Sequence, residues 1–480
     1  MSPTLIIGIV LVYFLLLLAV GFITGQKSDN QSFFIGNRKS PWLVVAYGMI
    51  GASLSGITFI SVPGWVLTSK FAYMQMVLGY LLGYIVIAFV LIPLYYKLNV
   101  TSIYTYLEKR FGLYAYKTGA LFFLISRLIG ASFRLFIVTG ILQFIALDKL
   151  GIPFPVTVLI TIFLIWIYTY RGGIKTIVWT DTLQTTFMLL SVVATIWIIS
   201  FQMKWSFSEM ITQIKLSEYS KIFFFDDWHN KHFFIKQFIS GIFITIVMTG
   251  LDQDMMQKNL SCRNKKDAQK NVLMLSGSLV IVNIIFLSLG VLLVLYAKST
   301  GLPLPQDSDQ LFPMIVMSGL LPPVIILFFI IGLIAAAFSS ADSALTALTT
   351  SFTIDILPTR QLNEQQLKRQ RFFVHVLLSI TLLIIIIVFQ HIKNGNVISN
   401  LFKAAGYTYG PLLGLFSFGL FHKQKIYDKA IPFFAVISPI LTYIIGFLVE
   451  EYLQYQLSFE LLIVNGLIMY LFLWLLRKKA

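Results

Sequence analysis

Ala335-Ala-Ala-Phe-Ser-Ser-Ala-Asp-Ser343 sets hydroxyls and a carboxylate inside an apolar run that extends from residue 323 to residue 350. On a helix, Ser339, Asp342 and Ser343 stand at i, i+3 and i+4 and share one face. A bare carboxylate is costly to bury in lipid, so the row requires a partner. Its donors are oxygens, with no sulfur among them, and suit a hard monovalent cation. The stretch reads as an ion site on a helix.

The rest of the chain says what kind of helix. Of 480 residues, 58% are hydrophobic and only 12% are charged, whereas soluble chains sit near about 25% charged. The expected class is an all-α integral membrane protein. Apolar runs of about 17 to 25 residues give about 13 transmembrane helices, at 4–24, 42–66, 72–96, 118–147, 154–170, 177–201, 233–257, 272–297, 323–350, 373–391, 398–421, 430–449 and 456–476. The formal charge of +16 is spread in a way that excludes nucleic acid as the partner. With the N-terminus outside, 24 of the 36 Lys and Arg fall in cytoplasmic segments and 8 in external ones. The positive-inside rule then places the C-terminus in the cytoplasm. The expected location is a bacterial cytoplasmic (inner) membrane, with the first helix retained because no basic n-region precedes it. The single cysteine, Cys262, cannot form an internal disulfide. The segment 351–372 reads as an amphipathic helix at the inner surface.

Two spans look interrupted. Gly51-Ala-Ser-Leu-Ser-Gly56 is small and polar in the middle of 42–66, and Thr249-Gly250 precedes Asp252-Gln-Asp254 at the end of 233–257. These spans are five helices apart and run in opposite directions. Paired interruptions in two inverted halves point to a transporter binding site, because broken helices free backbone groups at the midplane.

Depth brings the polar groups together. Asp181 lies in the inner part of 177–201, and Ser339 to Ser343 lie in the inner half of 323–350, so the aspartate is at a height to meet the serines. Arg127 and Arg134, seven apart in 118–147, share a helix face. A guanidinium there would hold a substrate carboxylate bidentately or pair with a protein acid. No HExxH, GxxxxGK[ST], GxGxxG or GxSxG signature is present, so an enzyme is not expected. His229 and His232 lie in the external loop 202–232 without nearby cysteines.

These motifs are similar to those of a known family. Gly250-Leu-Asp-Gln-Asp-Met-Met-Gln257-Lys-Asn-Leu260, followed by Lys265-Lys-Asp-Ala-Gln269, resembles a signature of the sodium/solute symporter family. Ala335 to Leu348 resembles its second signature, and Gly406-Tyr-Thr-Tyr-Gly-Pro-Leu412 resembles its late-helix motif. The resemblance implies a LeuT-like 5+5 inverted repeat in one transmembrane domain. Residues 41–201 and 233–421 would be the two halves, residues 1–40 an extra N-terminal helix and loop, and residues 422–480 two extra C-terminal helices. It implies a first sodium site on carbonyls of Gly51, Leu54 and Ala336 with the hydroxyls of Ser339 and Ser340. A possible second sodium would use Asp181, Ser339, Asp342 and Ser343. Asp342 stands where a hydroxyl is expected; a second carboxylate would tighten ion binding, hold a proton or pair with a basic group.

In binding residues the chain resembles the bacterial sialic acid branch. That likeness assigns Ser53, Ser55, Thr58 and Gln75 to the solute, with Arg134 for its carboxylate. The sugar branch has a Glu-Gln pair where this chain has Ile57 and Thr58. The function expected is sodium-coupled import of a small polar solute, carboxylate-bearing and sialic acid-like, by alternating access with one or two Na+. Alternatives are a proton-coupled symporter, a sodium/sugar or sodium/proline-type symporter, and, in another class, a non-transporting solute sensor. The partners implied are the solute, sodium and the bilayer, and a monomer suffices.

Overall fold

A computed structural model describes residues 3–26, 28–359, 361–391, 397–455, 457 and 459–478. Fifteen helices carry the account below: α1 (Pro3–Gly25), α2 (Trp42–Ser53), α3 (Gly56–Ser69), α4 (Tyr73–Leu98), α5 (Leu113–Leu142), α6 (Phe154–Gly172), α7 (Ile174–Gln202), α8 (Phe234–Gly250), α9 (Gln253–Leu260), α10 (Lys265–Thr300), α11 (Val324–Ser351), α12 (Glu364–Phe389), α13 (Val397–Phe421), α14 (Ile431–Leu453) and α15 (Leu461–Leu475). Among the described residues, eight helices are long and apolar enough to cross a membrane, or ten if each bent pair counts as one span. Phe154–Tyr170 and Leu461–Leu475 are shorter apolar helices.

Small residues decide which helix is central. In α11 the run Gly332, Ala335, Ala336, Ala337, Ala341, Ala344 and Ala347 lets neighbours approach closely, and 72% of its most apolar window is buried, against 28% for α1. A Cβ at Gly332 would lie 2.6 Å from the Ser191 Cβ on α7. Helix α7 in turn packs on α2, where a Cβ at Gly48 would lie 3.0 Å from the Asp181 Cβ. The polar row of α11 therefore faces α7 and the break after α2, away from lipid.

Both interrupted spans are broken. Helices α2 and α3 meet at 54°, across Leu54 (φ −93°, ψ 82°) and Ser55 (φ −71°, ψ 173°). Helices α8 and α9 meet at 64°. There Asp252 leaves the helical region (φ −103°, ψ 123°) and its carboxylate caps α9 by accepting the Met255 N–H at 3.1 Å.

Two boundaries differ from expectation. Helix α10 starts at Lys265 rather than near 272, because Asn264 caps it by accepting the Asp267 N–H at 3.0 Å and lets it emerge beyond the apolar window. The separate surface helix expected within 351–372 does not form. Asn363 and Gln366 cap each other's backbone at the start of α12, so the amphipathic residues are the first turns of that long helix.

Candidate functional site

The break between α2 and α3 lies against α11. A Cβ at Gly56 would come within 3.4 Å of the Ala337 Cα. Because Leu54 and Ser55 leave the helical region, the carbonyls of Gly51 and Leu54 receive no backbone donor among the described residues. On α11 the Ser340 hydroxyl rests on the Ala336 carbonyl at 3.3 Å, and Ser339 and Ser340 are fully buried. Two orphaned carbonyls and two hydroxyls, with no nitrogen donor set among them, are a fit for sodium.

One helical turn deeper, α6, α7, α9 and α11 converge on two carboxylates. Asp181 accepts the Ser339 hydroxyl at 2.6 Å and the Ser343 hydroxyl at 3.5 Å. Its Oδ2 also lies 2.7 Å from the Nζ of Lys258, and both side chains are 1% exposed. Asp342 accepts the Tyr168 phenol at 2.9 Å and the Ser343 N–H at 2.5 Å. With all three charged, two carboxylates and one ammonium carry one net negative charge, which one monovalent cation neutralises. Lys258 therefore has Asp181 as its ion-pair partner, and among the described residues no ion pair joins it to Asp342.

The second break is filled by protein groups. Arg127 pairs with Asp254 and lies 3.7 Å from Asp252, and the Tyr409 phenol donates to Asp252 at 2.5 Å. The Tyr95 and Tyr104 hydroxyls cover the carbonyls of Gly250 and Leu251 at 2.9 and 3.0 Å. The backbone freed between α8 and α9 is therefore already satisfied.

A cavity opens between the two breaks. Ser53, Ser55, Thr58 and Arg134 line it, with Trp65 of α3 and Tyr73 at the start of α4. Its interior measures about 120 Å³ and is continuous with solvent. Arg134 is 8% exposed, and its Nε and Nη1 have no acceptor among the described residues. The Asn283 Oδ1, also in the cavity wall, is likewise without a partner. Buried donors on Arg134 and the open acceptor on Asn283 await complementary groups of a ligand.

Gln75 is a correction. Its side chain is fully buried and does not line the cavity. Instead its Nε2 donates to the His232 carbonyl at 2.8 Å and its Oε1 accepts the Phe224 N–H at 3.1 Å, clasping the external loop. The same stretch is also held at the start of α8, where the Phe234 N–H donates to the Phe224 carbonyl at 2.8 Å. His232 is itself half-buried, and burial, helped by Lys231, pushes its imidazole down to about 4.

Lys258, Tyr168, Asp252 and Asp254 are absent from the expected site list. Lys258 falls one residue beyond the span 233–257 and so read as part of a surface segment. Its position four residues after Asp254, on one face of α9, is the signal that would have drawn it inward.

Comparison with known proteins follows from this geometry. A profile described as the sodium:solute symporter family matches residues 33–432. A sodium/sialic acid symporter of Aliivibrio fischeri is 26% identical over 445 residues, spanning 86% of this chain and 82% of its own. One from Proteus mirabilis is 26% identical over 431 residues, spanning 87% and 84%. Human sodium/iodide cotransporter is 24% identical, spanning 84% of this chain and 63% of its own. Among solved structures, a substrate-bound, outward-open Na+-coupled sialic acid symporter superimposes with a TM-score of 0.82 at 22% identity over 99% of both chains. Mhp1, a nucleobase-cation-symport-1 transporter, gives 0.55 at 15% identity over 91% of this chain and 92% of its own. The fold is the LeuT-like one.

Proposed function

The chain belongs to the sodium:solute symporter family, and we propose that it imports a carboxylate-bearing, polyhydroxylated solute of the sialic acid class together with sodium. It is a sodium-coupled symporter in a multi-pass inner-membrane fold, not an enzyme. The observation that carries the choice of solute is Arg134. It is a cavity-lining guanidinium without a counter-ion among the described residues, while Arg127, seven residues away, is paired with acids of the chain itself. Serine and threonine hydroxyls of the α2/α3 break stand in the same cavity to take sugar hydroxyls.

In this reading Gly51, Leu54, Ala336, Ser339 and Ser340 hold the first sodium. A second would use Asp181, Ser339, Asp342 and Ser343, beside Lys258. Residues 41–201 and 233–421 form the inverted halves, each contributing one broken helix, with the N-terminus outside and the C-terminus in the cytoplasm. Sodium draws the two together by bridging α2 and α11, and the solute reads the same break from the cavity side. Coupling follows because each stabilises the arrangement that the other needs. A proton-driven symporter, a neutral-sugar or proline carrier and a silent sensor are not favoured by any observation here.

The test is binding to purified protein, read as a thermal shift. N-acetylneuraminic acid should stabilise the protein in sodium and far less in potassium. Its methyl ester, or the free acid with Arg134→Ala, should give little shift. Equal stabilisation by acid and ester would overturn the role of Arg134, and no shift by either would overturn the solute class.

A further inference from the structure

At the end of the molecule richest in basic residues, the C-terminal ends of α1 and α6 and the first turns of α12 leave a cleft that the transport reading does not use. One wall is aromatic. Tyr170 and Phe372 line it, and Trp166 packs against both, stacking on Tyr170 (centroids 4.9 Å, interplanar angle 8°) and meeting Phe372 edge-on at 5.7 Å. Phe22, across the cleft, is 65% exposed. Tryptophan and tyrosine gather at the level of lipid headgroups, so this wall marks the height of the cleft at the membrane surface.

The other part of the lining is cationic. Gln365, Lys368, Arg369 and Phe372 follow one another at i, i+3, i+4 and i+7 along one face of α12. Lys368 and Arg369 are exposed and form no ion pair among the described residues. The nearby acids are engaged elsewhere: Glu364 accepts the Asn30 amide, and Asp29 accepts the Ser32 N–H at 2.7 Å. Arg371 is also satisfied, donating to the Asn30 Oδ1 at 3.0 Å and lying over the Phe33 ring. Lys175 adds a further cation at the rim, its Nζ 3.3 Å from the Gln26 carbonyl. The Ser28 hydroxyl in the lining is sealed from solvent and has no partner among the described residues.

We propose that this cleft binds an anionic phospholipid of the cytoplasmic leaflet. Its phosphate lies between Lys368 and Arg369, and its glycerol and first acyl carbons lie on Phe22 and Phe372. The occupant is a lipid rather than a soluble anion because the cations end against exposed aromatic surface that a free phosphate would leave wet. The basic pocket between helices matches the negative potential of that leaflet. The leaflet follows from the orientation proposed above; the site itself does not depend on the solute.

The experiment uses the full-length protein in neutral detergent, supplemented with phosphatidylglycerol, phosphatidylcholine or inorganic phosphate. Thermal unfolding gives the midpoint, and native mass spectrometry counts retained lipid. Phosphatidylglycerol should raise the midpoint and leave one bound lipid, and the other two should do neither. Lys368→Gln/Arg369→Gln should lose that rise and that lipid, each variant being compared with its own lipid-free midpoint. The charge-matched control Lys265→Gln/Lys266→Gln should keep both. An equal rise with phosphatidylcholine would overturn the charge selectivity, and an equal rise with inorganic phosphate would overturn the lipid. Retention of both effects in Lys368→Gln/Arg369→Gln would overturn the site.

Discussion

Two arginines on one face of α5 have opposite fates, and the acids around them decide which. Arg127 meets Asp252 and Asp254 at the second break, so its loss would strand two buried carboxylates. Arg134 meets none, so its loss should cost the solute and spare the fold. Lys258 and Asp342 extend the same logic to the inner cluster. Lys258→Met leaves Asp181 and Asp342 facing each other without a cation. Breaking a buried pair from one side costs about 3–5 kcal/mol, so the thermal midpoint should fall sharply. Lys258→Met/Asp181→Asn removes the ammonium and its ion-pair partner together and should recover much of that loss. A double variant no more stable than Lys258→Met would mean that Lys258 serves some other group. At this scale the sequence was legible where periodicity and depth act alone: Asp181, Ser339 and Ser343 meet, as i, i+4 spacing and topology require. It was not legible for Lys258, because the composition of a window cannot show that a short helix after a break turns back into the protein. Nor could it show that Gln75 is consumed by a loop 149 residues away in the chain.

Broken helices are legible as glycine and serine clusters, but the difference between the two breaks is not. Both sequences say that backbone is freed; only packing says that tyrosines and Arg127 satisfy one break while the other keeps open carbonyls. The open break depends on close contact between α2 and α7. A Cβ at Gly51 would lie 2.3 Å from the Thr185 Oγ1 and 3.3 Å from its Cα, where the Gly51 N–H now donates to that hydroxyl at 3.1 Å. Gly51→Ala should push α2 off α7, destabilise by about 1–3 kcal/mol as overpacking does, and raise the sodium concentration needed for half-maximal binding. An unchanged sodium response would remove Gly51 from the site. The external clasp gives a second expectation at this scale. With His232 at about 4 in the folded loop against about 6.5 when free, protonation favours the open loop. Its order is complete above pH 6.5 and is lost as pH falls towards 4. Hydrogen-exchange protection of residues 223–233, corrected for the intrinsic rate at each pH, should fall over that window, and a flat profile would count against the clasp.

Across the whole molecule, the proposed orientation rests on the charge asymmetry and the proposed coupling on the polar row of α11. Cys262 makes the orientation easy to check. It is buried, and burial, with Asp267 nearby, pushes its thiol up to about 12, so it should stay silent to maleimides in the folded protein. A cysteine placed at Ser220 should then label from outside intact cells, and one placed at Lys425 only after the membrane is opened; the reverse pattern would invert the topology. One sodium with a carboxylate solute moves no net charge, so an inside-negative potential of about 100 mV contributes through a second sodium, which gains about 2.3 kcal/mol before any concentration term. The most direct measurement is uptake of labelled N-acetylneuraminic acid into proteoliposomes under an imposed ion gradient. Accumulation should occur with an inward sodium gradient, be enhanced by an inside-negative potential, and vanish when potassium replaces sodium or Arg134 is replaced by alanine. Accumulation of the acid at the same rate in potassium, or by Arg134→Ala, would contradict the account.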